Sequence, residues 1–167
     1  MQKSLLLSLT ISALFMSTQA ITAAGVGEII AGIMDGVIQK DDLKEIQACL
    51  VGGDNLSVNI ENAVADFKEG DLAGTAEGFM EIQQFVTKLP AAIGTCEEIR
   101  DDLNKFAEWA VIFIEPTVFI KTVSSNLVWN YFEIHSDIEE AITDFDKQDY
   151  FDFGLKIGEA LVIVTKQ

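Results

Sequence analysis

The sequence predicts an all-α domain of six to eight helices, and three observations favour this fold class. Apolar residues recur at helical spacing along nearly all of the chain after residue 25. Only two of the 167 residues are proline, so long uninterrupted helices are permitted. No block of short alternating strands separated by regular turn signals occurs, which argues against β-sandwiches and barrels. Hydrophobic residues make up 49% of the chain and provide the core of one domain.

Residues 1–24 have the features of a secretory signal peptide. Lys3 precedes an apolar stretch of 12 residues, and small residues then provide two cleavage sites, after Ala20 and after Ala24. The apolar stretch is shorter than the roughly 20 residues of a transmembrane helix, which favours cleavage over the alternative of a retained membrane anchor. We therefore expect residues 25–167 to form a single exported domain with no transmembrane anchor after cleavage.

Four predicted helices occupy the first half of this domain, bounded by acidic N-caps and by glycine or proline stops. The apolar stripes place them at residues 29–38, 43–50, 56–67 and 72–89. We expect Asp41 or Asp42 to cap the second helix and Asp71 to cap the fourth, because a carboxylate accepts the unpaired amide hydrogens of a first turn. Pro90 is expected to end the fourth helix.

The second half is predicted to contain a fifth helix, a long helical segment and a final helix. Thr95 followed by Glu98 is a capping-box signature for the fifth helix. Residues 117–145 continue a helical stripe with a kink near His135. The β-branched start of this segment leaves a short strand there as the competing interpretation. Asp149 is expected to cap the final helix.

A repeated pattern predicts that the domain contains two related helical hairpins. Residues 59–67 resemble residues 137–145 at an offset of 78, with five identical positions in that register. The pattern predicts two copies of one unit, at residues 25–89 and 95–165, with Phe67 and Phe145 buried at equivalent positions. The alternative is that amphipathic helices with acidic caps look alike by composition. The identical pairs are Ile60 and Ile138, Glu61 and Glu139, Ala63 and Ala141, Asp66 and Asp144, and Phe67 and Phe145.

Export would permit two covalent modifications. Cys49 and Cys96 are the only cysteines, so a disulfide has one possible connectivity, and two buried thiols are the alternative. A zinc site is not expected, because such sites need four ligands and His135 is the only histidine. Asn55 begins an Asn-Leu-Ser sequon after a glycine pair and is a candidate glycosylation site in a loop.

Acidic residues dominate the charge of the chain, with 27 Asp and Glu, 11 Lys and Arg, and a net charge of −16. Loss of Lys3 with the signal peptide leaves a net charge of −17. A chain with one arginine lacks the basic patch that binds nucleic acid or an anionic membrane. Four carboxylates at a helix connector suggest a weak calcium site, with helix capping as the alternative interpretation. These candidate ligands are Asp144, Asp146, Asp149 and Asp152.

Three segments resemble elements of small secreted helical proteins that are numerous in ciliates. They are Cys-Glu-Glu-Ile-Arg-Asp-Asp at 96–102, Phe-Ile-Lys-Thr-Val-Ser-Ser-Asn-Leu at 119–127 and Asp-Tyr-Phe-Asp-Phe-Gly at 149–154. The resemblance implies a secreted helical protein. It carries no activity and no functional residue over to this chain.

No catalytic residues, metal-dependent active site or cofactor are expected. The chain has no Gly-x-Ser-x-Gly motif, and a single histidine would have to serve any nucleophile alone. Trp109, Trp129, Tyr131 and Phe132 are expected to pack in the core, with an apolar ligand pocket as the alternative. The favoured function is a non-enzymatic structural or binding component of a secretory lumen, granule or extracellular assembly, with protein partners or self-association. The alternative is a carrier of lipid or another apolar ligand between helices.

Overall fold

A computed structural model describes residues 20–166, apart from the side chain of Asp54, so most of the predicted signal peptide lies outside the described residues. Residues 20–166 form eight α-helices and two 3-10 turns and contain no strand, which confirms the predicted all-α fold. The helices are α1 (Ala23–Ile38), α2 (Leu43–Cys49), α3 (Asp54–Phe67), α4 (Leu72–Ile93), α5 (Arg100–Trp109), α6 (Pro116–Trp129), α7 (Tyr131–Asp146) and α8 (Tyr150–Val164). The 3-10 turns are Glu97–Ile99, before α5, and Ala110–Ile114, before α6.

Close packing of α1 against α8 forms the centre of the core. Gly32 and Gly36 of α1 face the backbone of α8, while Gly154 and Gly158 of α8 face the backbone of α1. A Cβ atom at Gly158 would lie 2.7 Å from the carbonyl oxygen of Ile33, so the helices approach at a distance that only glycine permits. The fully buried apolar residues of the two helices include Ile29, Ile30, Ile33, Met34, Phe153, Ile157, Ala160 and Leu161.

Two helical hairpins, α3–α4 and α7–α8, turn in the same way, and α8 belongs both to the second hairpin and to the central pair. Gly70 and Gln148 both have positive φ, 72° and 63°, and are 78 residues apart. The amide of Gly70 donates to the carbonyl of Phe67 at 3.1 Å, and the amide of Gln148 donates to the carbonyl of Phe145 at 2.9 Å. The two connectors share this geometry in the register of the sequence repeat, and the duplication itself stays a prediction.

The two phenylalanines of the repeat differ in burial, which corrects the prediction that both are buried. The ring of Phe67 is 1% exposed, whereas Phe145 is only half-buried. Phe145 lines an open groove of about 700 Å³ at the α3–α7 boundary and therefore keeps one side in contact with solvent. Across the same boundary Lys68 Nζ lies 2.7 Å from Asp146 Oδ1, an ion pair between residues that are also 78 positions apart.

The expected disulfide between Cys49 and Cys96 is present and joins the end of α2 to the segment that follows α4. The two Cα atoms lie 5.5 Å apart. Beside the bridge, the amide of Val51 donates to the carbonyl of Ala92 at 3.0 Å. The bridge therefore ties the first predicted unit to the start of the second, at a point where the backbones are already hydrogen-bonded.

The predicted caps at Asp71 and Asp149 are confirmed. Asp71 accepts a hydrogen bond from the amide of Gly74 at 2.8 Å, and Asp149 accepts one from Asp152 at 3.4 Å. At the start of α2 the side chain that bonds is Asp41, which accepts from the amide of Leu43 at 3.1 Å. Asp42 occupies the N-cap position of α2 without a side-chain capping bond, and it is buried instead.

Several predicted helix boundaries were wrong for local reasons. Pro90 lies inside α4, which continues to Ile93, because a proline near a C-terminus removes a single backbone bond. The capping box of Thr95 and Glu98 does not form, since a 3-10 turn starts after Cys96 and precedes α5.

The long segment 117–145 breaks at Asn130 and not near His135. The carbonyl of Asn126 accepts two bonds there, from the backbone amide of Asn130 at 2.8 Å and from its side chain at 3.1 Å. The competing interpretation of a strand at its start is also wrong, because residues 117–120 lie in α6.

Candidate functional site

The most exposed aromatic side chains of the described residues meet where α6 ends and α7 begins. Val128, Trp129 and Phe132 are 63%, 83% and 87% exposed, and we call these three residues the apolar corner. On α6 the buried positions are Phe119, Val123 and Leu127, four residues apart, so the helical register turns Val128 and Trp129 towards solvent. The expectation that Trp129 and Phe132 pack in the core is therefore wrong.

The break at Asn130 positions the corner. Tyr131 is half-buried, and its ring stacks on His135 with 5.3 Å between centroids and 10° between planes. Its other neighbour is the ring of Phe132, which meets it edge-on at 5.8 Å. His135 Nε2 lies 3.4 Å from Glu139 Oε1, so this histidine supports the aromatic stack on α7.

The apolar corner lies at the C-terminal end of the longest stretch of sequence after Glu28 that contains no Asp or Glu. Residues 116–132, which we call the acid-free segment, contain no Asp or Glu and one charged residue, Lys121. A groove of about 680 Å³ between this segment and the end of α8 has two lysines and no carboxylate in its lining. Asn126 holds the two elements together, because its side chain donates to the carbonyls of Val164 at 2.9 Å and Lys166 at 2.8 Å.

Exposed apolar side chains concentrate around the same part of the chain. Among residues 20–166, seven of the eleven large hydrophobic side chains that are exposed lie between positions 111 and 132. They are Val111, Ile114, Val118, Ile120, Val128, Trp129 and Phe132. No single described helix is long and apolar enough to cross a membrane. The segments Glu97–Ile114 and Pro116–Trp129 meet the criteria of length and composition only as a pair, and this pair is bent by 92°.

The four carboxylates of the predicted calcium site have separate local roles in the structure, and calcium binding there stays a prediction. Asp144 pairs with Lys147 at 3.2 Å, Asp146 pairs with Lys68, and Asp149 caps α8. Asp152 is exposed in the first turn of α8. In the described part of the chain no three acidic, histidine or cysteine side chains are arranged to hold a metal ion. The geometry therefore favours the capping interpretation.

The sequon lies in a helix and not in the expected loop. Asn55 is the second residue of α3 and its side chain is exposed. Leu56 and Ser57 behind it are buried, 3% and 8% exposed. Glycosylation of Asn55 stays a prediction.

A small cleft with a largely apolar lining lies between α4 and α5, and it is the candidate for the predicted ligand pocket. Its volume is about 220 Å³, below the roughly 300–1,000 Å³ of sites that enclose a drug-sized ligand. Its apolar lining includes Val86, Leu89, Ile93, Leu103, Phe106 and Ala107.

Five partly buried carboxylates have a raised pKa, in every case chiefly because burial disfavours the ionised form. They are Glu28, Asp35, Asp42, Asp66 and Asp137. Neighbouring carboxylates add to the shift, as Asp149 does at Glu28 and Glu159 does at Asp137. Glu28 and Asp35 lie on α1, Asp42 is the N-cap of α2, Asp66 lies on α3 and Asp137 on α7, so the raised pKa values are spread over the acidic surface.

Comparison with protein-family models, with curated proteins and with solved structures found no match. The fold and the surface themselves define the class: an acidic all-α protein with one disulfide and an exposed apolar corner. Sequence reasoning missed this corner because it counted all aromatic residues together. The sequence did contain a signal, because Val123, Leu127 and Tyr131 form the inward-facing stripe at i, i+4 spacing. Trp129 and Phe132 do not belong to that stripe.

Proposed function

We propose that the protein is a non-enzymatic component of a secretory lumen, granule or extracellular assembly, and that it associates with further copies of itself through the apolar corner. The observation that carries the proposal is the exposure of Trp129 and Phe132, at 83% and 87%. Aromatic residues are enriched at protein interfaces and supply much of their binding energy. Two such residues on one corner, beside the exposed Val128, form the kind of patch that marks an interaction site.

The local absence of carboxylates supports a second copy as the occupant. A mature chain of net charge −17 repels its copies over most approaches. The acid-free segment is the stretch where two copies meet with the fewest opposed carboxylates, and Lys121 and Lys166 in the adjacent groove attract carboxylates of a neighbour. Because salt screens the overall repulsion over about 8 Å at physiological ionic strength, association is expected to strengthen with sodium chloride.

Export is supported by the disulfide and by the composition of residues 1–24. Disulfides persist in oxidising compartments and are rare in the cytosol. The apolar N-terminal stretch after Lys3 is typical of a signal peptide.

The alternative function, a carrier of lipid or another apolar ligand, rests on the cleft between α4 and α5. Its lining is apolar, but its 220 Å³ volume favours a packing defect over a ligand site. A function as a ligand carrier would also give no role to the exposed side chains of Trp129 and Phe132. Native mass spectrometry of protein purified from its source separates the two, because a carrier retains its ligand and an assembling protein shows oligomers.

Sedimentation velocity tests the proposal directly. The sedimentation coefficient of the mature, oxidised protein is expected to rise with protein concentration and with sodium chloride. A Trp129→Ser, Phe132→Ser double variant is expected to stay monomeric under the same conditions. The matched control is a Val58→Ser, Leu72→Ser variant, which removes two exposed apolar side chains from α3 and α4 and should associate like the parent. A parent that is monomeric at every concentration, or a corner variant that still associates, contradicts the proposal.

A further inference from the structure

We infer that signal cleavage occurs after Ala20, and that the new α-ammonium of Ile21 forms an ion pair with Glu61. The sequence alone leaves Ala20 and Ala24 equally suitable as cleavage sites. The fold distinguishes them, because residues 21 and 22 already have structural roles and residue 20 is exposed.

The side chain of Ile21 belongs to the core. It is 5% exposed, whereas Ala20, directly before it, lies in solvent. Its Cγ2 methyl group also lies beside the first turn of α1, since a Cβ atom added at Gly25 would be 3.1 Å from it. Cleavage after Ala24 would remove this buried side chain, whereas cleavage after Ala20 would keep it.

The next residue, Thr22, is the N-cap of α1. Its hydroxyl oxygen accepts a hydrogen bond from the amide of Gly25 at 3.1 Å, and its carbonyl accepts from Val26 at 2.9 Å. Cleavage after Ala24 would begin the mature chain inside α1 and leave its first amides without these partners. Since α1 packs against α8 at the centre of the core, this loss would weaken the whole fold.

Glu61 is placed to receive a new amino terminus. The backbone nitrogen of Ile21 lies 3.4 Å from Glu61 Oε1, across 40 residues of sequence. After cleavage this nitrogen is an ammonium group, so a hydrogen bond to a carboxylate becomes a charge-assisted one. The other charged groups lining the groove beside Ile21 are Lys68 and Asp146, which already pair with each other. Glu28 lines the adjoining groove with Thr22 and Gly25, but Glu61 is the carboxylate that already accepts from the nitrogen of Ile21.

The first test is the N-terminal residue of the exported protein, a step that rests on the proposed export. N-terminal sequencing is expected to give Ile21, and a terminus at Gly25 would overturn the inference. Failure of the chain to be exported would contradict the proposed function instead. The stability comparison that follows still decides whether the fold requires a terminus at residue 21.

The second test uses oxidised chains released from a cleavable fusion to start at Ile21, at Gly25 or at Ser17. The chain starting at Gly25 is expected to melt at least about 5 °C below the chain starting at Ile21. Equal melting temperatures would overturn the inference.

The third test isolates the ion pair. Glu61→Gln is expected to lower the melting temperature by about 2 °C in the chain starting at Ile21, and by less in the chain starting at Ser17, where the nitrogen of Ile21 is an uncharged amide. Glu108→Gln, at an exposed position of α5, controls for the change in net charge. An effect of Glu61→Gln that is the same in both chains, or no larger than that of Glu108→Gln, would overturn the pairing.

Discussion

At the scale of single residues, Asp42 has the least favourable surroundings of the described carboxylates. It is 9% exposed, and its Oδ2 atom is buried without a hydrogen-bond partner among the described residues. Burial raises its pKa, and Asp102 and Glu45 raise it further by repulsion. A raised pKa means that the ionised form of Asp42 opposes folding.

Replacing Asp42 by Asn is therefore expected to stabilise the protein at pH 7, by about 1 kcal/mol, because it removes a buried and unpaired charge. Thermal unfolding measures the gain, with Glu98→Gln as an exposed control for the same change in net charge. Below the ordinary pKa of aspartate, Asp42 is protonated in both states, so the Asn variant is expected to have no advantage in stability. The advantage should appear as the pH rises through the raised folded-state pKa of Asp42, where its carboxylate ionises. A lower melting temperature at pH 7 would show that the carboxylate has a partner that offsets its burial.

The paired phenylalanines give a second test at this scale. Phe67→Ala is expected to cost about 3–5 kcal/mol, because the ring is fully buried and packs edge-on against Phe79 at 5.3 Å. Phe145→Ala is expected to cost less, because half-burial removes less apolar surface from water. Chemical denaturation of both variants measures the two costs. Equal costs would mean that Phe145 is as buried in solution as its counterpart.

At the scale of helices, the contact between α1 and α8 depends on four glycines at i, i+4 spacing. Gly158→Ala is expected to destabilise the protein by about 1–3 kcal/mol, because its Cβ atom would push against the backbone of α1. Gly27→Ala is the matched control, since a Cβ atom there would meet Gln47 and Leu50 at 3.4 and 3.6 Å, which are ordinary contacts. The control should be neutral or slightly stabilising, because alanine favours a helix over glycine. A neutral Gly158→Ala variant would contradict the close approach of the two helices.

The same scale shows what the sequence could predict about the elements. Periodicity placed the helical regions but joined α6 and α7 into one segment, and side-chain caps such as Asp71 and Asp149 marked starts correctly because a cap acts within one turn. The C-terminal ends of the helices were harder to predict, because they depend on competition between neighbouring groups. The long helix breaks at Asn130, and a mid-helix asparagine gives no unambiguous warning of this.

At the scale of the whole molecule, the acidic surface makes stability depend on pH. Five carboxylates have a pKa raised chiefly by burial, so the folded state binds protons more readily than the unfolded state. The stability that protonation provides is fully present below the ordinary pKa of these groups and is lost as the pH rises through the raised values. Asp102, which is partly exposed, has a lowered pKa through its bond to Lys105 and acts in the opposite sense.

We therefore expect the melting temperature to be higher in mildly acidic buffer than at pH 8, at constant ionic strength. Thermal unfolding monitored by circular dichroism across this range checks the prediction. Replacing Asp42, one of the carboxylates whose pKa is raised, by Asn should reduce the dependence of the melting temperature on pH. A melting temperature that rises steadily towards pH 8 would contradict the assignment of these carboxylates.

The fold class could be predicted at this scale, whereas the functional surface could not. Helical periodicity says which positions face a partner element, and the chain offers enough apolar residues for a core. Whether an aromatic residue outside the stripe meets another helix depends on packing between distant segments. Trp109 and Trp129 illustrate this, because Trp109 packs against Phe106 and Phe113 while Trp129 meets solvent.

The fluorescence of Trp129 tests most directly the central claim that the apolar corner is buried when copies associate. A Trp109→Phe variant leaves Trp129 as the single tryptophan and replaces a half-buried ring with a similar one. In dilute solution its emission should be that of a solvated indole. As protein concentration rises, the account predicts a shift of the emission maximum to shorter wavelength and protection from iodide quenching, in step with the sedimentation coefficient. Emission that stays unchanged while the protein associates would place the interface elsewhere and contradict the account.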